Sequence, residues 1–349
     1  MLLPMKAITY QGLHEMRVDD VPKPSIKGSR DVLLRITLSA LCGSDLHIYN
    51  QRSPVNEGAV VGHEFVGVVE ETGPEVMRFK AGDRVVAAFY TACGHCDLCR
   101  RGWFSQCTSK ATFGHGDFWG GLGGGQAEYV VVPDADHTLE PIPADMSDDD
   151  AIFVGDIMST AYFGAERADI EPGDVVAVVG AGPVGLLTVQ AAQLFGPARV
   201  YAIDFVDQRL ELAQEFGAIP INGKDVNPVE FIQKETGGRG ADSSVECVGV
   251  HEAIQTSINV VRGGGTISVV GVPNTTIGDF PYIHAWLKDL TFRAGWCNVQ
   301  AHMRPLLDLI AAGKLKPASI ISHRMKLDEG EEAYRMFEAR EATKIVFDS

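Results

Sequence analysis

The chain contains no run of about 18 apolar residues, so no segment has the makings of a membrane-crossing helix. It also lacks basic excess. Its 30 Lys and Arg stand against 46 Asp and Glu, and a net charge of −16 repels phosphate backbones and anionic lipid, which argues against nucleic acid and membrane surfaces as partners. The start, MLLPMKAITYQG, has no long apolar core followed by small residues and reads as a first strand, not a secretory signal. Internal repeats and low-complexity tracts are missing too. Cysteine is sparse and odd in number, seven in all, and four of the seven sit at metal-ligand spacing; a disulfide framework is therefore not expected, and a reducing, cytoplasmic setting is. What is there is an ordinary globular composition, 45% hydrophobic and 22% charged over 349 residues, long enough for two domains and compatible with a small neutral substrate.

The four clustered cysteines are Cys93, Cys96, Cys99 and Cys107, spaced C-x-x-C-x-x-C-x7-C. That spacing fits a tetrahedral zinc cage, which is a closed site with no place for substrate. Zinc catalysis in this chain therefore needs a second metal. The β-rich half supplies candidates in Cys42-Gly43-Ser44-Asp45-Leu46-His47 and Gly62-His63-Glu64. A lone Cys or His is usually core packing, but two such motifs together make Cys42 and His63 plausible ligands, with one further protein donor needed and a fourth place open.

From about residue 5 to 150, short β-like runs (Val32–Ser39, Phe65–Glu70, Arg84–Ala88, Glu128–Val132) alternate with Gly- and Pro-rich turns. The stretch Phe113–Gln126 holds seven glycines and is expected to be a mobile surface loop. After Asp174 the rhythm changes to strand, helix, strand. Val175–Val179, Arg199–Ile203, Ile219–Ile221, Ser243–Val248, Thr266–Val270 and Leu290–Arg293 are strand candidates, with Val184–Phe195 and Gln208–Phe216 the clearest helices between them, a pattern of a doubly wound parallel sheet. Two more helical patterns, Ala301–Ala312 and Asp328–Ala339, precede a strand-like Lys344–Phe347. The expected domains are 1–158, 159–297 and a return to the first domain over 298–349.

Gly180-Ala181-Gly182-Pro183-Val184-Gly185 follows the first strand of the second domain and opens a helix, the setting in which G-x-G-x-x-G binds a dinucleotide pyrophosphate. Asp204, at the end of the next strand, is positioned to accept hydrogen bonds from the adenosine ribose and to repel a 2′-phosphate, which favours NAD over NADP. Arg209 keeps NADP open, since a guanidinium can pair with phosphate; the plainer alternative is that it lies over the adenine edge or faces solvent.

With these motifs in this order, the chain resembles the zinc-dependent medium-chain alcohol dehydrogenase family over nearly its whole length. The resemblance implies a GroES-like catalytic domain joined to a Rossmann dinucleotide-binding domain, two zinc ions per chain, and NAD. It places the third catalytic ligand just ahead of the dinucleotide domain, where this chain has Asp156 in Val154-Gly155-Asp156-Ile157-Met158-Ser159-Thr160, in place of the Cys of many relatives. This resembles the branch that contains bacterial secondary alcohol dehydrogenases and formaldehyde dehydrogenases. A carboxylate remains a proper zinc donor; the alternative for Asp156 is a helix N-cap. The resemblance further implies that Glu64 approaches the metal, that Asp45 orients an imidazole, and that Ser44 and His47 relay a proton. It sets Thr160, Val248, Val270, Gly271 and Val272 beside the nicotinamide or its ribose, and Lys344 at the pyrophosphate, where Gly43 replaces a phosphate-binding Arg of some relatives.

The chemistry then expected is reversible hydride transfer from a small alcohol to NAD, giving an aldehyde or ketone. A bound metal lowers the pKa of a coordinated water from 15.7 to about 7, and an alcohol responds in the same sense. The substrate is not written in the motifs, although His115, Phe118 and Trp119 are candidates to line its pocket. A homo-oligomer, tetramer rather than dimer, is expected from the resemblance. The competing reading is a non-catalytic zinc- and nucleotide-binding protein on the same scaffold, which requires loss of the open zinc. Cys247 reads as core, and Cys297 has no evident partner.

Overall fold

The computed structural model describes residues 3–273 and 280–349. The chain divides into two compact units, Met1–Ser159 with Asn298–Ser349, and Thr160–Cys297. Among the described residues no helix is long and apolar enough to cross a membrane.

The first unit is built on the strand Val32–Leu41, whose side chains are buried on both faces along most of its length. Glu64–Thr72 pairs antiparallel along one side of it. The other side is shared: Tyr129–Val132 pairs with the Val32–Arg35 half, and Ile345–Asp348 pairs with the Leu38–Leu41 half. His323–Lys326 extends the sheet beyond Ile345–Asp348, while Arg84–Ala87 and Leu139–Pro141 extend it beyond Glu64–Thr72. An antiparallel hairpin, Pro4–Gly12 with Glu15–Pro22, forms a separate small sheet. The returning helix Gly330–Glu338 buries Ala333, Tyr334 and Phe337 in a core shared with Ile8, Leu41, Ile48 and Phe347. That shared core seats the return segment against the strand preceding Cys42.

The glycine-rich stretch departs from expectation. Exposure is confined to Asp117, Phe118, Gly120, Gly121 and Gly123, whereas Phe113, Gly114, Gly124, Gly125 and Gln126 are buried. A Cβ on Gly124 would lie 1.9 Å from the Val61 carbonyl oxygen, and one on Gly125 would lie 2.1 Å from the Phe65 ring. Glycine is needed there because backbone packs directly on the segment carrying His63, not because the loop is loose.

The second unit is a six-stranded, wholly parallel sheet in the order Ile219–Asn222, Arg199–Asp204, Val175–Val179, Ala241–Glu246, Val261–Val269, Thr291–Ala294. All five residues of Val175–Val179 are buried, as the central strand of a sheet covered on both faces requires. Helices Pro183–Gln193, Asp207–Glu215, Pro228–Glu235 and His251–Val260 connect the strands. The strand expected at Ser243–Val248 ends at Glu246, and the one expected at Thr266–Val270 begins earlier, at Val261. The result is the expected fold class, a β-rich GroES-like unit and a doubly wound Rossmann-type sheet.

Candidate functional site

Three segments of the first unit converge on one buried cluster. Cys42 follows the strand Val32–Leu41, His63 immediately precedes the strand Glu64–Thr72, and Asp156 closes the 3-10 turn Ile152–Gly155. One ligand atom from each of Cys42, His63, Glu64 and Asp156 lies within 4.8 Å of the others, and all four side chains are buried. Asp156 Oδ2 stands 3.2 Å from His63 Nε2 and 3.8 Å from Cys42 Sγ. A tetrahedral zinc with ordinary bond lengths sets such N···O and S···O edges at about 3.3 and 3.5 Å. The donor set thus fits zinc in both chemistry and spacing.

The electrostatics agree. Burial opposes charge on His63, yet Asp45, Cys42 and Asp156 around it hold its pKa well above the ordinary value. Burial pushes the Cys42 thiol up, and Glu64 and Asp156 push it further. Several anionic groups in a dry pocket are a demand for positive charge. Part of that demand is met by Lys344, which is fully buried, 2.8 and 2.7 Å from the two carboxylate oxygens of Glu64 and 2.8 Å from the Leu41 carbonyl oxygen. This corrects the expectation that Lys344 reaches the cofactor pyrophosphate: its ammonium is inside the first unit, with no exposed surface, anchored to the carboxylate that neighbours the metal ligands. Burial alone would lower its pKa, but Glu64 and Cys42 raise it; on the other side of the pair, burial and Asp156 raise the Glu64 carboxyl against the pull of Lys344.

Behind His63, Asp45 Oδ1 stands 3.1 Å from Nδ1, close enough for a charge contact though off-line for a good hydrogen bond. The other oxygen of Asp45 accepts from the Cys42 amide at 2.9 Å and from Gln126 Nε2 at 3.2 Å. Gln126 in turn accepts from the Tyr334 hydroxyl at 2.9 Å. A buried chain therefore runs from the returning helix to the candidate ligand. Neither Gln126 nor Tyr334 was signalled by any motif; they are reached only through the fold.

Ser44 Oγ lies 3.1 Å from His63 Nε2 and 3.4 Å from Cys42 Sγ, at the mouth of the cluster. His47 is one turn further on; burial and Arg52 lower its pKa, so its imidazole is neutral near pH 7, and its Nδ1 is buried without a hydrogen-bond partner. The two are linked through the backbone, His47 N–H donating to the Ser44 carbonyl at 3.0 Å. Of the pocket candidates, His115 stacks edge-on to His63 with ring centroids 4.7 Å apart, and burial beside His63 holds its pKa down at about 4. Phe118 points elsewhere, 72% exposed.

The four-cysteine loop closes on itself. The amides of Cys93, Cys96 and Cys99 donate to the sulfurs of Cys107, Cys93 and Cys96, each at 3.4 Å. Amides of Cys99 and Thr108 hold the Cys96 thiol at about 6. The four sulfurs lie within 4.8 Å of one another, as a thiolate cage requires. Asn298 Oδ1 ties the loop to the return segment by accepting from the Ser105 amide and hydroxyl at 3.1 and 2.8 Å.

In the second unit, Gly180 adopts φ +92°, and a Cβ on Gly185 would lie 1.8 Å from the Gly180 carbonyl oxygen. The turn therefore needs both glycines, and Gly182 caps a helix whose first residue, Pro183, has no N–H to lose. Asp204 accepts from the Ala181 amide at 2.7 Å and from the Val206 amide at 3.0 Å, joining the turn to the second strand, with Arg209 at 3.9 Å. Val248 and Val272 are substantially exposed, Val270 is buried, and Gly271 packs against Gly249. Thr160 is half-buried at the start of the unit. A residue the sequence reading passed over, Glu246, lies buried beneath these turns.

Residues 28–144 match the family model of the alcohol dehydrogenase GroES-like domain, and residues 183–312 match that of zinc-binding dehydrogenases. Zinc-type alcohol dehydrogenase B of Aspergillus flavus is 36% identical over 98% of this chain and 81% of that protein. An alcohol dehydrogenase of Cupriavidus necator is 36% identical over 95% of each. Among solved structures, alcohol dehydrogenase TADH from Thermus sp. ATN1 superposes with a TM-score of 0.95 at 41% identity, covering 99% of both chains. A Sinorhizobium meliloti protein described as a zinc-binding dehydrogenase and bound to NADP gives 0.88 at 28% identity, again covering 99% of both.

Proposed function

This chain belongs to the zinc-type medium-chain alcohol dehydrogenase family, oxidoreductases that bind zinc and a nicotinamide nucleotide, and on that premise we propose that it reversibly oxidises a small alcohol to an aldehyde or ketone with NAD. The observation that carries the reading is the buried Cys42, His63 and Asp156 constellation at tetrahedral spacing, separate from the four-cysteine loop. Two zinc ions per chain follow, one held by each cluster. Asp156 as third ligand supports a kinship with the branch of bacterial secondary alcohol and formaldehyde dehydrogenases.

Bound zinc supplies a Lewis acid that lowers the pKa of a substrate hydroxyl, and the dinucleotide supplies the hydride acceptor. The residues do the rest. Cys42, His63 and Asp156 hold the metal, Asp45 orients His63, and Glu64, tethered by Lys344, stands ready to approach during ligand exchange. Ser44 would take the hydroxyl proton, and the neutral imidazole of His47, one helical turn further on, would accept it toward solvent. The glycine turn from Gly180 to Gly185 receives the pyrophosphate, with Pro183 and Val184 opening the helix behind it. Asp204 would hold the adenosine ribose and disfavour a 2′-phosphate, and Arg209 beside it would lie at the adenine end. Thr160, Val248, Val270, Gly271 and Val272 border the nicotinamide end.

Self-association accompanies this reading, a tetramer in preference to a dimer. The edge strand Thr291–Ala294 and the exposed Tyr282, Ile283, Trp286 and Leu287 beside it are apolar surface that a second copy would cover. A cytoplasmic setting suits seven reduced cysteines. The test is a panel of primary, secondary and polyol substrates with NAD and NADP, alongside zinc analysis. Turnover with NAD and two zinc ions per chain supports the proposal; a single zinc and no turnover with any alcohol or carbonyl overturns it in favour of a non-catalytic binding protein.

A further inference from the structure

Glu246 is a buried carboxylate that the chemistry above does not use. It ends the strand Ala241–Glu246 with no exposed surface, and among the described residues no basic side chain pairs with it. Its bonds all go to backbone. Oε1 accepts from the amides of Val248 and Gly249, both at 2.8 Å. Its main-chain carbonyl accepts from the amides of Val270 and Gly271, at 2.9 and 3.1 Å. One residue thus gathers four amides from two turns, two by its side chain at the carboxyl end of its own strand and two by its carbonyl at the end of the neighbouring parallel strand, where open α/β sheets bind their ligands.

The two turns leave no slack. Gly249 sits at φ +82°, and a Cβ there would lie 2.0 Å from the Val272 carbonyl oxygen. A Cβ on Gly271 would lie 2.2 Å from the Gly249 amide nitrogen and 2.6 Å from Glu246 Oε2. Val248 and Val272 project from this interlock, 41% and 45% exposed, while Val270 stays beneath them. Burial pushes the Glu246 carboxyl up to about 7 in spite of its amide donors, so it is retained at a cost that an apolar side chain would not carry.

We propose that Glu246 is a positioning residue for the cofactor: its carboxylate fixes the Val248–Gly249 turn while its main-chain carbonyl holds the Val270–Gly271 turn beside it, so that Val248 and Val272, seated over Val270, present a fixed surface to the nicotinamide end of a dinucleotide. This rests on the reading of the second unit as an NAD site. The property that matters is an oxygen held where two amides converge, not negative charge. Glu246→Gln keeps such an oxygen, Glu246→Leu removes it, and Glu246→Asp withdraws it by one methylene.

The test uses full-length protein with its zinc: NADH binding by fluorescence titration, KM for NAD and for alcohol measured separately, and amide exchange at Val248 and Gly249. Glu246→Leu is expected to weaken NADH binding by about 10-fold, the worth of two modest hydrogen bonds, and to raise the KM for NAD while leaving that for alcohol in place. Exchange at the two amides should quicken, and Glu246→Gln should restore binding. If the leucine variant does not fold, Glu246→Asp is expected to show the same loss. Wild-type protein that binds NADH, with Glu246→Leu or Glu246→Asp binding it equally well, overturns this inference alone; so does a glutamine variant as weak as the leucine one. Wild-type protein that binds neither NADH nor NADPH overturns the parent reading and this inference with it.

Discussion

The two candidate metal clusters of the first unit are made in opposite ways. The cysteine cage draws its four sulfurs from a single short loop and neutralises them with amides of that same loop, Cys93, Cys96 and Cys99 each donating to a neighbouring sulfur. The Cys42, His63 and Asp156 cluster draws its ligands from three distant segments and surrounds them with buried charges, Asp45 of the Cys42 segment behind the imidazole and Lys344 of the return segment on Glu64. A locally wired site holds its loop together. A site wired through the core is preorganised by the whole unit, with room kept for chemistry.

Exchanging the damage between the clusters should produce the largest effects. Cys96→Ala is expected to cost stability and assembly first, with Tm lower by about 10 °C or more and activity lost as a consequence, because zinc binding contributes strongly to small thiolate folds. His63→Ala is expected to do the reverse: one zinc and a cooperative melt retained, with turnover down by about 10,000-fold, or about 5.4 kcal/mol of barrier. Thermal denaturation, zinc content and kcat on both variants make the check, and matching profiles would erase the distinction.

Acid should separate the clusters next. Metal binding needs each ligand deprotonated. His63 has its pKa raised by Asp45 and Cys42 despite burial, so falling pH returns its proton early, whereas amides of Cys99 and Thr108 hold Cys96 at about 6, and amides of Cys93 and Ser109 lower Cys107 against its burial. Burial raises Cys99, which makes it the thiol through which acid first reaches the cage, so the expected order rests on the amides that serve Cys96 and Cys107. On lowering the pH of the holoprotein, a zinc-sensitive dye should register the first equivalent in step with loss of activity and the second later. Release in the opposite order would show that the amide-stabilised cage is the weaker holder.

The smallest effect tests how far the core wiring extends. Tyr334→Phe removes the hydroxyl that donates to Gln126, two links from His63. Zinc affinity of the catalytic cluster, measured by chelator competition, is expected to fall by roughly 3-fold, less than the loss typical of a partner in direct contact with a ligand. The cage serves as the internal control, and an equal fall in both clusters would mean a general loosening.

The contrast also explains what could be read from sequence. The cage was legible because its ligands are neighbours in the chain, and the dinucleotide turn because Gly180 and Gly185 answer a steric demand that no other residue meets. Cys42 and His63 were legible from their motifs, but their support was not: Gln126 and Tyr334 are ordinary residues until folding brings them to Asp45. Lys344 was misassigned because its partner, Glu64, is 280 residues away in the chain. The glycines of Phe113–Gln126 read as slack in the sequence, yet Gly114, Gly124 and Gly125 mark close packing, since composition does not distinguish a residue chosen for freedom from one chosen for smallness.

The discontinuity of the first unit sets an order of biosynthesis. Cys42, His63 and Asp156 are translated before Thr160–Cys297, whereas Lys344 and the strand Ile345–Asp348 come after it. At ordinary ribosomal speeds the intervening 140 or so residues take roughly 7 to 28 s. The contiguous second unit can complete its sheet in that interval. The first waits with the Leu38–Leu41 rim of its central strand unpaired and its acidic pocket without the lysine that balances it. An open strand rim invites pairing with other chains, so the nascent protein is most exposed to aggregation, and most in need of chaperone cover, during synthesis of the domain that is itself the simpler to fold.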